Sequence, residues 1–171
     1  FDNLAPQVTV NYAATDNINL YAKYAEGFKS GGFNGEAGSV AETVRSYRAE
    51  VVDSFEIGVK SRLADNRIQL NAAAFSNKHK DMQLSVFTAV GAAGSDIRNA
   101  GRANVRGFEI EGLFQATDTF IARASLGYLD TEYKEFIEFG TDVSDDRAFP
   151  HAPKNTFAAG FDWDAVENDW V

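Results

Sequence analysis

A chain of 171 residues can make one domain with a real core, and its net charge of -9 argues against a nucleic-acid surface. There is no cysteine, which excludes a disulfide framework and thiolate metal sites, and no run approaches the roughly 18 apolar residues of a helical membrane span. Fourteen glycines, fourteen phenylalanines and six tyrosines beside only three prolines favour β-structure over a helical bundle.

The first strand is expected over Gln7 to Ala14, with Val8, Val10 and Tyr12 on one face and Thr9 and Asn11 on the other. Thr15-Asp16-Asn17 is a tight polar turn. Ile18 to Glu26 follows, its Ile18, Leu20, Ala22 and Tyr24 opposite Asn19, Tyr21 and Lys23, so the two strands make a hairpin. Gly27 to about Glu50 reads as a long irregular loop. A third strand covers Val52 to Leu63, where Phe55, Ile57, Val59 and Leu63 alternate with Glu56, Gly58, Lys60 and Arg62. Ala64-Asp65-Asn66 is its turn.

The fourth strand is unusually long. Ile68, Leu70, Ala72 and Ala74 continue in parity through Ser76, Lys78 and Lys80 to Met82, Leu84 and Val86, and Gly- and Ala-rich residues from Val90 to Ser95 break it. The fifth runs through Arg98 to Phe114, with Phe108, Ile110 and Phe114 opposite Glu109 and Glu111, and ends at Thr117-Asp118. The sixth covers Phe120 to about Thr131. A long acidic loop is expected from about Tyr133 to Pro153, then a seventh strand over Asn155 to Trp163, a turn over Asp164 to Asn168, and the start of an eighth at Asp169.

The connections alternate short, long, short, long. In an up-and-down antiparallel meander, all short turns then fall at one end and all long loops at the other. Outer-membrane barrels have this anatomy, with strands of about 9–11 spanning residues. A soluble β-sandwich or jelly roll has shorter strands, of about 5–6 residues, and no reason to sort its loops by length. The expected fold is therefore all-β: an antiparallel up-and-down transmembrane β-barrel segment, seven to eight strands of a larger barrel. The start, Phe1-Asp2-Asn3-Leu4, is not a signal peptide, so the sequence of an exported protein is expected to be an internal stretch.

A set of motifs supports this. Asn99-Ala100-Gly101, five residues, and then Gly107-Phe108-Glu109-Ile110-Glu111 mark one strand. Gly27-Phe28-Lys29-Ser30-Gly31-Gly32-Phe33-Asn34 opens a long loop, and Glu50 to Lys60 carries Phe55-Glu56-Ile57-Gly58. Ala74-Phe75 with Asp81-Met82-Gln83 follows, and Pro150-x-x-Pro153-x-x-Thr156 comes late. Each is weak alone. In this order, across nearly the whole chain, they resemble the barrel of the TonB-dependent receptors. The resemblance implies a bacterial outer-membrane receptor that binds a scarce, large nutrient and imports it when energy coupled through TonB rearranges a plug. The commonest cargo is a ferric siderophore; cobalamin, haem and glycans are others. The chain departs from the pattern in having no plug, no segment to engage TonB and no terminal strand ending in an aromatic residue. Residues 1–171 are thus expected to be part of the barrel domain, with plug and remaining strands absent. A passive porin-like barrel and a soluble carbohydrate-binding or adhesion β-domain are the alternatives.

In a lipid-embedded barrel the apolar parity faces out and the other lines the lumen: Lys23, Glu56, Lys60, Arg62, Glu109, Glu111 and Arg123. By resemblance this wall packs against the protein's own plug. Tyr24, Tyr128 and Trp163 have girdle placement. Lys78, Lys80 and Arg106 face out above the apolar run and are candidates for lipopolysaccharide phosphates. Phe28, Lys29, Phe33 and Arg45 in the first long loop are candidates for an anionic iron chelate. No Gly-x-Ser-x-Gly elbow, Gly-x-Gly-x-x-Gly or phosphate loop is present, so neither enzymatic activity nor a cofactor is expected. His79 and His151 are isolated and read as surface or lumen residues. Asp142, Asp145 and Asp146 lack the spacing of a calcium loop and read as a solvated acidic tip.

Overall fold

The computed structural model describes residues 3–34, 44–87 and 95–164. Within them the chain forms β1 (Gln7–Thr15), β2 (Ile18–Lys29), β3 (Gly32–Phe33), β4 (Ser46–Tyr47), β5 (Glu50–Leu63), β6 (Ile68–Phe87), β7 (Ser95–Thr117), β8 (Phe120–Glu138), β9 (Thr141–Asp142), a single 3-10 turn η1 (Ser144–Asp146) and β10 (Asn155–Trp163). One antiparallel sheet runs β1-β2-β5-β6-β7-β8-β10, with β9 turned back on β8, while β3 and β4 pair separately. Each strand thus pairs with the next long strand in the chain, the up-and-down order expected. β1 and β10 are the two edges.

The register keeps the two parities apart across the whole sheet. Tyr12, Leu20, Val59, Ala72, Ile110, Leu126 and Phe157 lie in one row, each opposite the next. The next row towards the long loops holds Val10, Ala22, Ile57, Ala74, Phe108 and Tyr128. On this face the strands turn charged within two neighbouring rows: Tyr24 gives way to Glu26, Phe55 to Asp53 and Ser76 to Lys78 in one, and Phe108 to Arg106 and Tyr128 to Asp130 one row nearer the short turns. The apolar runs, Ile18 to Tyr24 on β2, Phe55 to Leu63 on β5 and Phe120 to Tyr128 on β8 among them, approach the about 9–11 residues with which a tilted strand crosses a bilayer. Aromatic residues close the run, with Tyr24 opposite Phe55 and the Phe108 and Tyr128 rings stacked at 5.5 Å. At the short-turn end Trp163 lies opposite Phe120, whose ring stacks on Phe161 at 5.7 Å.

No second layer covers the apolar face among the described residues. Among the described residues the buried hydrophobic side chains are Val86, Ala100 and Ala103 alone, whereas Phe55, Ile57, Phe108, Ile110, Phe157 and Phe161 are 38% to 73% exposed. A soluble β-domain would seal those six in its core. Their exposure, in rows shared by neighbouring strands, is the opposite of what that alternative expects.

On the opposite face two glycines make room for aromatic rings. Gly58 lies opposite Tyr21, and a Cβ there would sit 2.5 Å from the Tyr21 ring. Gly107 lies opposite Phe75, and a Cβ there would meet the Phe75 ring at 2.8 Å as well as the Tyr128 carbonyl. A ring lying flat over a cross-strand glycine covers backbone that has no side chain of its own.

Several boundaries differ from those expected. β2 runs on through Phe28 and Lys29, so these two stand at a strand end and not in the loop. The first long connection is not irregular throughout, because β3 and β4 pair Gly32 with Tyr47 and Phe33 with Ser46. β8 continues through Tyr133 to Glu138, where an acidic loop was expected, since the apolar Tyr133, Phe136 and Ile137 keep it folded against neighbours. The parity expected to run unbroken from Ile68 to Val86 is interrupted. Two register shifts fall between His79 and Gln83, and Asp81 takes φ 52° there. The Gly- and Ala-rich break after Phe87 and the eighth strand at Asp169 lie outside the described residues.

Candidate functional site

Two regions carry polar side chains in number: the face opposite the apolar one, and the end of the sheet where the long connections gather. Lys23 lies opposite Glu56 on the polar face, and the Tyr21 hydroxyl donates to Glu56 Oε1 at 2.7 Å. Lys60 Nζ stands 5.7 Å from the centre of the Tyr21 ring. Arg123 pairs with Asp162 of the edge strand. Three grooves open on this face. One of 410 Å³ is lined by Gln69, Asn71, Glu111 and Arg123, one of 470 Å³ by Asn19, Lys60, Arg62 and Gln69, and one of 270 Å³ by Tyr21, Glu56, Glu109 and Glu111. All seven wall residues named from the sequence therefore share one face, six of them lining these grooves and Lys23 beside Glu56. Mixed charges on a concave surface make a hydrated wall that releases whatever it holds more readily than an oily one.

At the long-connection end a network absent from the sequence reading ties the 29–50 segment to β6 and β7. Gln83 Nε2 donates to the carbonyls of Lys29, Ser30 and Arg48 at 3.3, 2.9 and 3.1 Å. Asn99 Nδ2 donates to the carbonyls of Arg48 and Asp81 at 2.9 and 2.8 Å, and its Oδ1 accepts from the Arg48 amide at 2.6 Å. The register shift in β6 frees the Gln83 amide, which donates to Glu50 Oε2 at 3.0 Å. Glu50 also faces His79, with Nδ1 3.6 Å away. Deeper, the buried Asp96 carboxylate accepts from Asn34, from Arg98 Nε at 2.9 Å and from Arg45 at 3.5 Å. Gln83 and Asn99 sat in the motifs that mark the strands, which was the available signal. Nothing in the sequence singles out Asp96.

The ligand candidates Phe28, Lys29, Phe33 and Arg45 all stand at this end. Phe28 and Phe33 are exposed, the Lys29 carbonyl serves the clamp, and the Arg45 guanidinium is committed in part to Asp96. Of the three outward cations, Lys80 pairs with Asp53 at 2.5 Å, and Asp53 also accepts from the Tyr24 hydroxyl at 3.3 Å. Lys78 lies opposite Asp53, and Arg106 opposite Asp130. The three cations are thus interleaved with carboxylates and do not form a purely cationic cluster.

The acidic tip is more ordered than the sequence implied. Asp142 Oδ1 accepts from the amides of Phe136 and Ser144, both at 3.0 Å, and these bonds hold its carboxyl below the usual aspartate range. Asp145 and Asp146 sit in η1. Tyr133 stacks on Phe149 at 4.3 Å and meets Phe136 edge-on at 5.1 Å. Arg102 holds Glu135 through Nε and Nη2 at 2.9 and 2.6 Å. Among the described residues no group of His, Asp and Glu is placed to hold a metal ion, and His151 is exposed.

One apolar face, one polar concave face and long connections sorted to one end define a stretch of β-barrel wall. The chain belongs to the TonB-dependent receptor family: the model described as "TonB dependent receptor-like, beta-barrel" matches residues 1–171. It is 28% identical over 135 residues to the probable TonB-dependent siderophore receptor PiuA of Acinetobacter baumannii, a match covering 77% of this chain and 17% of that protein. It is 30% identical over 127 residues to the metal-pseudopaline receptor CntO of Pseudomonas aeruginosa, covering 74% and 16%. The fold matches that of the ferric yersiniabactin uptake receptor FyuA from Yersinia pestis, with a TM-score of 0.69 and 23% identity over 91% of this chain and 22% of that one. The chain thus spans about a sixth of the length of the relatives it matches in sequence.

Proposed function

We propose that this chain is part of the wall of an outer-membrane receptor that binds a metal chelate outside the cell, a ferric siderophore first among them, and imports it with energy coupled through TonB. The carrying observation is the agreement among relatives: those matched over about three quarters of the chain are named as a probable TonB-dependent siderophore receptor and a metal-pseudopaline receptor. The apolar face then lies in lipid, and the aromatic rows around Tyr24, Tyr128 and Trp163 sit at its two interfaces. Lys23, Glu56, Lys60, Arg62, Glu109, Glu111 and Arg123 face the plug across water. Phe28, Lys29, Phe33 and Arg45 stand where cargo arrives. Lys78 and Arg106, with Lys80 shared by Asp53, are placed for lipopolysaccharide phosphates at the outer rim. The protein acts by binding and gating, without covalent chemistry.

The test is uptake of radiolabelled iron by cells expressing or lacking the full-length receptor, supplied with ferric catecholate, hydroxamate and mixed chelates, with and without functional TonB. Uptake that needs both proteins is the expected result. Uptake that survives loss of TonB points instead to a passive channel, and uptake of glycans but of no metal chelate overturns the cargo.

A further inference from the structure

One cavity at the long-connection end touches the clamp only at Asn99 and shares no residue with the grooves of the polar face. It has a volume of 340 Å³ and lies where the end of β6, the start of β7 and the β8–β9 turn converge. Val86 and Ala100 make a buried apolar floor, and Ile137 and Phe139 make a side. Arg98 lies on the rim. Asp96 engages its Nε, yet the side chain remains 43% exposed, leaving the far edge of the guanidinium for another partner. Asp96 is shared with Arg45, so two cations stand against one carboxylate.

The second observation concerns Phe139. β8 and β9 join through a two-residue hairpin, with Glu138 opposite Thr141, and Phe139 and Gly140 take φ 51° and 79°. Such a turn favours Asn, Asp or Gly at its first central position, because a left-handed backbone crowds a bulky side chain. Phe139 is nevertheless there, and it is 57% exposed. The ring therefore occupies a conformationally costly position while no other described residue covers most of it. A strained residue held at a cavity mouth is a pointer to ligand contact.

We infer that this cavity is a subsite for a flat aromatic group carrying an ionised oxygen, such as a catecholate, phenolate or aromatic carboxylate arm of the cargo. The ring packs against Phe139 and Ile137 over the Val86–Ala100 floor, and the oxygen takes a charge-assisted hydrogen bond from Arg98. The inference deepens the receptor reading and rests on it.

The test uses the purified full-length receptor in detergent and calorimetric titration with two probes, ferric tris(2,3-dihydroxybenzoate) and a ferric trihydroxamate that has no aromatic ring. Phe139→Asn suits the turn better than the native residue, and Arg98→Lys keeps the charge beside Asp96, so both variants retain the fold. Each is expected to weaken the aromatic probe about tenfold. An aromatic probe bound equally by wild type and Phe139→Asn overturns the subsite and leaves the receptor reading intact. So does a wild type that binds only the trihydroxamate. A wild type that binds neither chelate overturns both.

Discussion

Gln83 and Asn99 face each other in the β6–β7 register, and both donate a side-chain N–H to the same carbonyl, that of Arg48. One hairpin thereby holds both ends of the connection from Lys29 to Arg48, 54 and 35 residues away in sequence from Gln83. Removing either amide frees backbone carbonyls at a cost of about 1 kcal/mol per hydrogen bond. Because the two share an acceptor, the losses in Gln83→Ala and Asn99→Ala should not add in the double variant. Hydrogen exchange on the full-length receptor reads this out: residues 29–33 and 44–48 should lose protection in each single variant. Unchanged protection in both singles would show that the clamp holds nothing.

The cross-strand glycines are unequal. At Gly107 a methyl group meets the Tyr128 carbonyl and the edge of the Phe75 ring, and the backbone oxygen cannot step aside. At Gly58 it meets only the Tyr21 ring, which can swing away if it gives up its bond to Glu56. Gly107→Ala should therefore destabilise by about 1–3 kcal/mol, the range of an overpacked site. Gly58→Ala should cost about 1 kcal/mol, the worth of the displaced hydrogen bond. Equilibrium refolding in urea orders the two, and the reverse order contradicts this packing.

Asp142 gives the 136–144 turn a pH dependence. Its carboxylate is favoured by the Phe136 and Ser144 amides, so its folded-state pKa lies below the ordinary aspartate value. A depressed pKa contributes stability that is fully present above the unfolded value and is lost as pH falls through the folded one. The amide resonances of Phe136 and Ser144 should accordingly move together below the usual aspartate range, and in Asp142→Asn they should not titrate there. Titration of these amides within the usual range contradicts the assignment.

The long strands were legible in the sequence because one physical constraint, an apolar face backed by a polar one, writes period two into them. Ile57 beside Glu56, and Ile110 beside Glu109 and Glu111, carry that period without interruption. It fails where the constraint ends. Beyond Lys80 the strands no longer need an apolar face, so the bulge at Asp81 and the extension of β8 through Tyr133 to Glu138 left no periodic trace. The clamp was half legible: Gln83 and Asn99 stood in recognisable motifs, yet their acceptors are backbone carbonyls, which any residue supplies. Asp96 and Phe139 were not legible, since their roles come from contacts and dihedral angles fixed only by the assembled sheet.

The most direct test places one cysteine at a time along β7, in a stretch that has none of its own. Phe108→Cys, Glu109→Cys, Ile110→Cys and Glu111→Cys variants of the full-length receptor, each carrying a fluorophore in a reconstituted bilayer, are exposed to brominated lipid and then to an aqueous quencher. Positions 108 and 110 should be quenched from the lipid, and positions 109 and 111 only from water. Equal quenching at all four positions, or the opposite alternation, would contradict a barrel wall with Phe108 and Ile110 in the membrane and Glu109 and Glu111 in its lumen.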